Sequence, residues 1–223
     1  MRTQLQVRSS LADKAVHELL GKRAAYEHIP IISANGDVSV FKPNGERLLT
    51  VCREAISKEA IDAAFPFMWE LRKQSTTNRG AYAGDSDVKL GSRQEIKHGV
   101  RRSVVKLDGT ISKTNYAAPV RSSVVGYFDR NPRFPYCRET AYVTANPVLW
   151  GQALPFIQQI GRLFRDTIPD RYAAQLEMAQ KTHPAYVIPE TPFTTVTVNN
   201  TVAGAYHTDK GDYEPGFGCM AVF

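Results

Sequence analysis

Residues 192–223 read PFTTVTVNNTVAGAYHTDKGDYEPGFGCMAVF. From Thr195 to Asn199 the chain alternates polar and apolar residues, the period of a strand with one covered face. His207-Thr208-Asp209 follows, and on a strand residues i and i+2 project from the same side. An imidazole and a carboxylate so placed can take adjacent positions on one metal ion. With a second, distant histidine they form the two-histidine, one-carboxylate set that leaves positions on Fe(II) open to cosubstrate and oxygen. The tripeptide alone is weak, since an H-x-D arises by chance in a chain of this length roughly one time in five. Its setting strengthens it: a period-two strand precedes it, and the polar turn Lys210-Gly211-Asp212 follows.

Outward from this block the chain alternates helical and strand patterns. Pro147 to Thr167 is the strongest predicted helix, with Leu149, Leu154, Phe156, Ile157, Ile160, Leu163 and Phe164 on one face, Asn146 as cap and Pro147 in the first turn. Arg171 to Lys181 reads as a shorter helix after Ile168-Pro169-Asp170. YCRETAYVT (136–144), RSSVVGYF (121–128) and VRRSVVKL (100–107) read as strands, and RNPRFP (130–135) as a turn. Ser57 onward is helical, with Pro66 either kinking the helix or opening a second one. Residues 75–94 form a polar stretch without apolar period, expected to be a long surface loop. Near the N-terminus a helix is expected over 10–25, then a small hairpin or meander over IPIIS, VSVF and RLLTV, with turns at Asn35-Gly36 and Asn44-Gly45. The order of elements predicts an α+β fold with a β core.

Composition sets limits. With 223 residues, 43% of them apolar, the chain can bury a core and is neither disordered nor fibrous. No apolar run approaches a membrane span and the start resembles no signal peptide, so a soluble intracellular protein is expected. Cys52, Cys137 and Cys219 lack the close pairing of a zinc or redox motif and are expected to be buried free thiols. The net charge of +6 is unevenly distributed. Between Arg72 and Arg121 eleven basic residues face four acids, leaving the remainder of the chain at −1. Such a segment suits contact with a phosphate backbone, and equally a solvated basic loop region.

The block Pro192 to Phe223 resembles the iron-binding segment of the TET/JBP family of Fe(II)- and 2-oxoglutarate-dependent dioxygenases, which oxidise the 5-methyl group of pyrimidines in nucleic acid. The JBP-like and phage or bacterial members are nearer than the animal TET proteins. Ser122 to Tyr127, Cys137 to Thr140 and Arg171 to Gln175 resemble the same family's region ahead of the core, so the likeness covers about residues 120 to 223. It implies a double-stranded β-helix (jelly-roll) core with supporting helices. Residues 1–120 would form an N-terminal helical and β region carrying the basic segment 72–121, and 121–223 the pre-core elements and first part of the core, in one continuous domain.

The resemblance also implies Fe(II), 2-oxoglutarate and O2 as the reacting set, with His207 and Asp209 as two iron ligands. The family's third ligand is a histidine several strands further on, and its cosubstrate-clamping arginine lies beyond that. His17, His28, His98 and His183 all precede His207, and the apolar run Gly218 to Phe223 ends the sequence without a cap. The expectation is therefore an N-terminal fragment of a longer enzyme, inactive alone. DNA is the expected partner, with the target base flipped out or single-stranded, no membrane association, and a monomer.

Asp212 is the candidate reader of that base: its carboxylate can accept from thymine N3–H or cytosine N4–H₂ and does not choose between them. The TET branch holds an Asn at the corresponding place, and a turn Asp bonded to its own backbone explains the residue equally well. Asn199 and Asn200 are candidate pocket residues or turn formers. Arg138 could grip the anionic cosubstrate or form a structural salt bridge. Arg79, in the Asn78-Arg79-Gly80 loop, with Arg93, Arg101 and Arg102, are candidate DNA contacts. His183 and Tyr206 read as structural. Two rival readings share parts of this set: an Fe(II)/2-oxoglutarate hydroxylase of a small molecule or protein, which needs no basic segment, and a noncatalytic DNA-binding domain in which the H-x-D is coincidental.

Overall fold

The computed structural model describes residues 3–7, 18–19, 22, 36–76, 120–202, 204–207 and 213–222, and the backbone of 101–105 and 111–115. The elements in chain order are β1 (Thr3–Gln6), β2 (Val38–Phe41), β3 (Arg47–Val51), α1 (Lys58–Leu71), β4 (Arg101–Val105), β5 (Ile111–Asn115), β6 (Ser122–Phe128), β7 (Arg138–Glu139), α2 (Ala141–Ala145), α3 (Pro147–Thr167), α4 (Pro169–Ala179), a 3₁₀ turn (Pro184–Tyr186) and β8 (Thr195–Asn199). The fold is α+β, with small sheets and helices. Two compact units partition the chain: Met1–Leu49, Gln74–Ser122 and Asn200–Lys210 in the first, and Thr50–Lys73, Ser123–Asn199 and Gly211–Phe223 in the second.

The second unit holds the larger core. α1 begins at Ser57, whose Oγ accepts from the Ala60 amide at 3.3 Å. The same residue is tied to α3: its amide donates to Gln159 Oε1 at 2.8 Å, and Gln159 Nε2 donates to its Oγ at 3.0 Å. Pro66 lies inside one continuous helix rather than opening a second. Ala60, Ala64, Phe67 and Leu71 recur at helical spacing and bury against Trp150, Ala153, Phe156 and Ile157 of α3. Phe67 is fully buried, with ring centroids 5.2 Å from Tyr142 and 5.5 Å from Trp150. The Trp150 indole N–H donates to Tyr127 Oη at 3.2 Å, satisfying the one polar group that the ring brings inside.

β6 is the centre of a sheet in the order β7, β6, β8. Tyr127 and Phe128 of β6 face Glu139 and Arg138 of β7, antiparallel. On the other edge the Tyr127 amide donates to Thr194 O at 2.8 Å. Gly126 makes that approach possible: its φ is +111°, and a Cβ there would stand 2.5 Å from Thr194 O. Val196 and Val198 of β8 pack on the core, as the period-two pattern requires.

The strand expected over 136–144 stops after Glu139. Thr140 sits at the N-cap position with extended backbone and Ala141–Ala145 turns helical; the Thr140 side chain makes no capping bond, its Oγ1 accepting from the Gly126 amide at 3.3 Å instead. Asn146 was expected to cap α3 through its side chain and does not. Its Nδ2 donates backward to Tyr142 O at 3.0 Å, closing α2 instead. The helix over Pro147–Thr167 stands as expected, and the following one runs Pro169–Ala179. The expected helix over 10–25 and loop over 75–94 lie mostly outside the described residues. Cys52 and Cys137 are half-buried and Cys219 exposed, all three free, so the expectation of buried thiols fails most clearly for Cys219, in the irregular C-terminal run.

In the first unit β2 lies between β1 and β3, with β1 parallel to it (Thr3 opposite Val38, Gln6 opposite Phe41). Strand β1 was not anticipated, because a four-residue edge strand carries almost no period. Val38 and Val40 are buried. No described helix is long and apolar enough to cross a membrane.

Phe67→Ala removes the ring at the centre of this core and lowers stability by about 3–5 kcal/mol. Urea denaturation followed by tryptophan fluorescence checks it, and an unchanged midpoint would show that α1 is not integral to the unit.

Candidate metal centre

β8 ends at Asn199, eight residues ahead of His207. On this strand Val196 and Val198 face the core, which places Asn199 on the opposite face with Thr195 and Thr197. Asn200 follows in a turn: its amide donates to Arg121 O at 3.0 Å, its Oδ1 accepts from Thr201 Oγ1 at 3.2 Å, and Thr201 has a φ of +51°.

The chain then runs through Ala205, buried at 3% exposure, and Tyr206, whose amide donates to Lys22 O at 3.0 Å. Residues 204–207 are irregular and not strand, so the same-face spacing of a strand does not place the tripeptide. A different contact orients its histidine. His207 Nδ1 lies 2.7 Å from Ala205 O. A carbonyl only accepts, so in this contact Nδ1 is the donor. A ring N–H donated to a backbone carbonyl is a contact of the kind that orients metal-binding histidines. Asp209 and Asp212 lie outside the described residues. Among the described residues no group of three or more His, Cys, Asp or Glu side chains is gathered for a metal.

Downstream of Asp212 the chain is held by α4. Arg171 Nη1 donates to Pro215 O at 3.2 Å, and the Phe217 amide donates to Gln175 Oε1 at 3.1 Å. Gly216 closes a turn on Tyr213 O at 2.8 Å, and a Cβ at Gly216 would lie 2.8 Å from Gln175 Oε1. Arg171 and Gln175, four residues apart on one helix face, thus clasp residues 213–217. The i,i+4 spacing of two long polar side chains was the available signal, but spacing alone does not reveal a partner forty residues away.

Arg138 sits in β7 with its guanidinium 4.8 Å from the Phe128 ring centroid and 4.2 Å from that of Phe134. Among the described residues it forms no salt bridge. Its Nη1 is buried without a hydrogen-bond partner among the described residues. The planar cation is held by aromatic faces, leaving that N–H donor in place for an acceptor. In the adjoining turn the Arg130 amide donates to Asp129 Oδ1 at 2.7 Å, and this bond holds the Asp129 carboxyl below its ordinary range.

Of the four candidate DNA contacts, Arg79 and Arg93 lie outside the described residues. Arg101 and Arg102 begin β4, opposite Asn115 and Thr114 of β5. Lys113 faces Ser103 in the same ladder, so three basic positions of the segment share one hairpin.

Residues 123–223 match the Tet_JBP family, the oxygenase domain of the 2OGFeDO superfamily. The thymine dioxygenase JBP1-B of Trypanosoma cruzi is 36% identical over 104 residues, 45% of this chain and 12% of that protein. The bifunctional helicase and thymine dioxygenase JBP2 of Leishmania infantum is 34% identical over 111 residues, 49% of this chain and 10% of that protein. The thymine dioxygenase JBP1 of Crithidia fasciculata is 32% identical over 103 residues, 45% of this chain and 12% of that protein. The chain thus spans about a tenth of the length of these relatives. No solved structure matches. The resemblance drawn from His207-Thr208-Asp209 and its surroundings is borne out over the matched stretch.

Replacing Gln175 by Ala speeds hydrogen exchange of the Phe217 amide about three- to tenfold, the worth of one ordinary hydrogen bond. Gln175→Glu keeps an acceptor oxygen and stays near native. Equal protection in the Ala variant would show that α4 does not hold the segment.

Proposed function

We propose that this protein, through the Tet_JBP oxygenase domain matched by residues 123–223, takes part in Fe(II)- and 2-oxoglutarate-dependent hydroxylation of the 5-methyl group of thymine in DNA. The observation that carries the reading is the position of His207 and Asp209 inside the matched stretch, with the His207 ring oriented by its contact to Ala205 O. Thymine is preferred over 5-methylcytosine because the similar proteins are named thymine dioxygenases. β8 is taken as an early strand of a double-stranded β-helix core.

The donor set fits a hard-to-borderline divalent ion. A neutral imidazole and a carboxylate two residues on are the ligand types that suit non-haem iron. Bound together, iron(II), 2-oxoglutarate and O2 supply the oxidation of an otherwise unreactive methyl group. The chain's own residues orient and bind. Ala205 O fixes the His207 ring by accepting its Nδ1–H. Arg138, with a buried N–H donor, is the proposed clamp for the dianionic cosubstrate. Asp212 is the proposed acceptor for thymine N3–H, with Asn199 and Asn200 as further polar contacts. A methyl group inside a duplex is out of reach of any such site, so the base must be flipped out or single-stranded. Arg79, Arg93, Arg101 and Arg102 are proposed to hold the backbone while that happens.

Nucleoside mass spectrometry of DNA incubated with the full-length gene product, iron(II) and 2-oxoglutarate is expected to show 5-hydroxymethyluracil. His207→Ala and Asp209→Ala each remove the product and lower iron retention at least about tenfold, the range seen when a metal site loses a supporting group. Product undiminished in Asp209→Ala would overturn the reading.

A further inference from the structure

The turn joining β6 to β7, residues 129–137, is unlike an ordinary surface connection. It is internally ordered: Asn131 and Phe134 exchange backbone hydrogen bonds at 2.8 and 3.0 Å, and Asn131 Oδ1 accepts from the Arg133 and Phe134 amides at 3.1 and 3.0 Å. It is also built from alternating rings and guanidinium groups. Arg138 lies over both Phe128 and Phe134, and Arg133 lies over Phe134 at 5.1 Å. Tyr136 meets Phe134 edge-on with centroids 6.2 Å apart. Each of these groups has a partner on one side, but Tyr136 is 57% exposed, leaving most of its ring to solvent at the outside of the stack.

The charge around that ring has one sign in excess. Arg130 and Arg133 are exposed, and within residues 129–138 three arginines stand against Asp129 alone. Asp129 is partly neutralised by Arg130, whose Nε lies 3.6 Å from its Oδ1, and by the Cys137 thiol, which donates to it at 3.3 Å. An exposed aromatic ring three to six residues from exposed guanidinium groups, on a turn tied by its own hydrogen bonds, has the makings of a platform for unpaired nucleotides: the ring stacks a base, and the cations take neighbouring phosphates. A protein partner would use the same groups, but a turn that alternates ring and cation along the sequence matches a strand that alternates base and phosphate.

We propose that the 129–137 turn is a single-stranded DNA contact, in which Tyr136 stacks a base and Arg130 and Arg133 hold the adjacent phosphates. This inference rests on the reading of the protein as a DNA-base oxygenase. It adds a contact element outside the Arg72–Arg121 segment, on the side of β6 opposite β8.

Fluorescence anisotropy with a labelled thymidine 12-mer, titrated across sodium chloride concentrations, tests it on the full-length gene product. Tyr136→Ala is expected to weaken binding about five- to a hundredfold, the value of one stacked base, while Tyr136→Phe binds like the native protein. Arg130→Ala and Arg133→Ala each reduce the slope of log affinity against log salt by about 0.7. Thermal unfolding of the variants should match the native protein, since these side chains are exposed. Native affinity and slope in Tyr136→Ala and in the arginine variants would overturn the contact, even where Asp209→Ala abolishes product and so leaves the oxygenase reading intact. Equal weakening of Tyr136→Ala on a blunt duplex would overturn its single-stranded form. Absence of any binding by the native protein at low salt would overturn both readings.

Discussion

The close approach of β6 to the segment leading into β8 is the constraint on which the second unit depends. Gly126 admits it by having no Cβ, where a methyl group would meet the Thr194 carbonyl at 2.5 Å. Both edges of that unit's sheet hang from β6. One edge carries β7 and with it the ordered turn of Arg130 to Cys137. The other carries β8, from which the chain proceeds to His207. Behind the sheet, Val125 and Tyr127 join the aromatic cluster of Phe67 and Trp150, so strand spacing and helix packing are set by the same few residues. A side chain at position 126 would therefore disturb both edges together, since ladder hydrogen bonds on either side of one strand cannot move independently.

What could be read from sequence follows the length of each pattern. The 21-residue helix α3 repeats its apolar face over nearly six turns, and its bounds matched the expectation. β8 was legible because valine alternates with threonine next to a covered core. The segment 140–145 was misread, since Tyr142 and Val143 look like strand residues when Thr140 is not seen as a cap. Asn146 illustrates a second limit: an Asn ahead of a proline-started helix fits a cap, and only the nearby end of α2 reveals that its side chain donates backward. The seven-residue strand β6 was found, but the reason for its Gly126 is a backbone neighbour 68 residues away and cannot be inferred from local sequence.

The candidate site divides in the same way. His207 and Asp209 stand out in the sequence because metal ligands come from few residue types, and both fall within the matched stretch 123–223. The orienting contact from Ala205 O carries no sequence signal, since any residue has a carbonyl. Arg138 was noticed for being charged within an apolar pattern. Sequence offers an anionic cosubstrate or a salt bridge as its partner, whereas its neighbours are two phenylalanine rings. Cation–π contacts leave no complementary charge to search for.

Charge counting over long windows also concealed the β6–β7 turn. Outside Arg72–Arg121 the chain sums to −1, which suggests a neutral body. Some acids, however, are engaged locally: Asp62 with Lys58, Glu70 with Lys73 and Asp166 with Arg165 on or just past helices, and Glu190, in a turn, with Arg162. Such exposed pairs contribute little to stability, but they cancel fields within a few ångströms and leave other regions of the surface unbalanced. At 129–138 the imbalance falls beside an open aromatic ring. Recognition of a flexible polyanion depends on charge within a Debye length, roughly 10 Å, and not on the net value of a domain. A unit that is neutral in sum can therefore present one turn with the electrostatic character of a nucleic-acid contact.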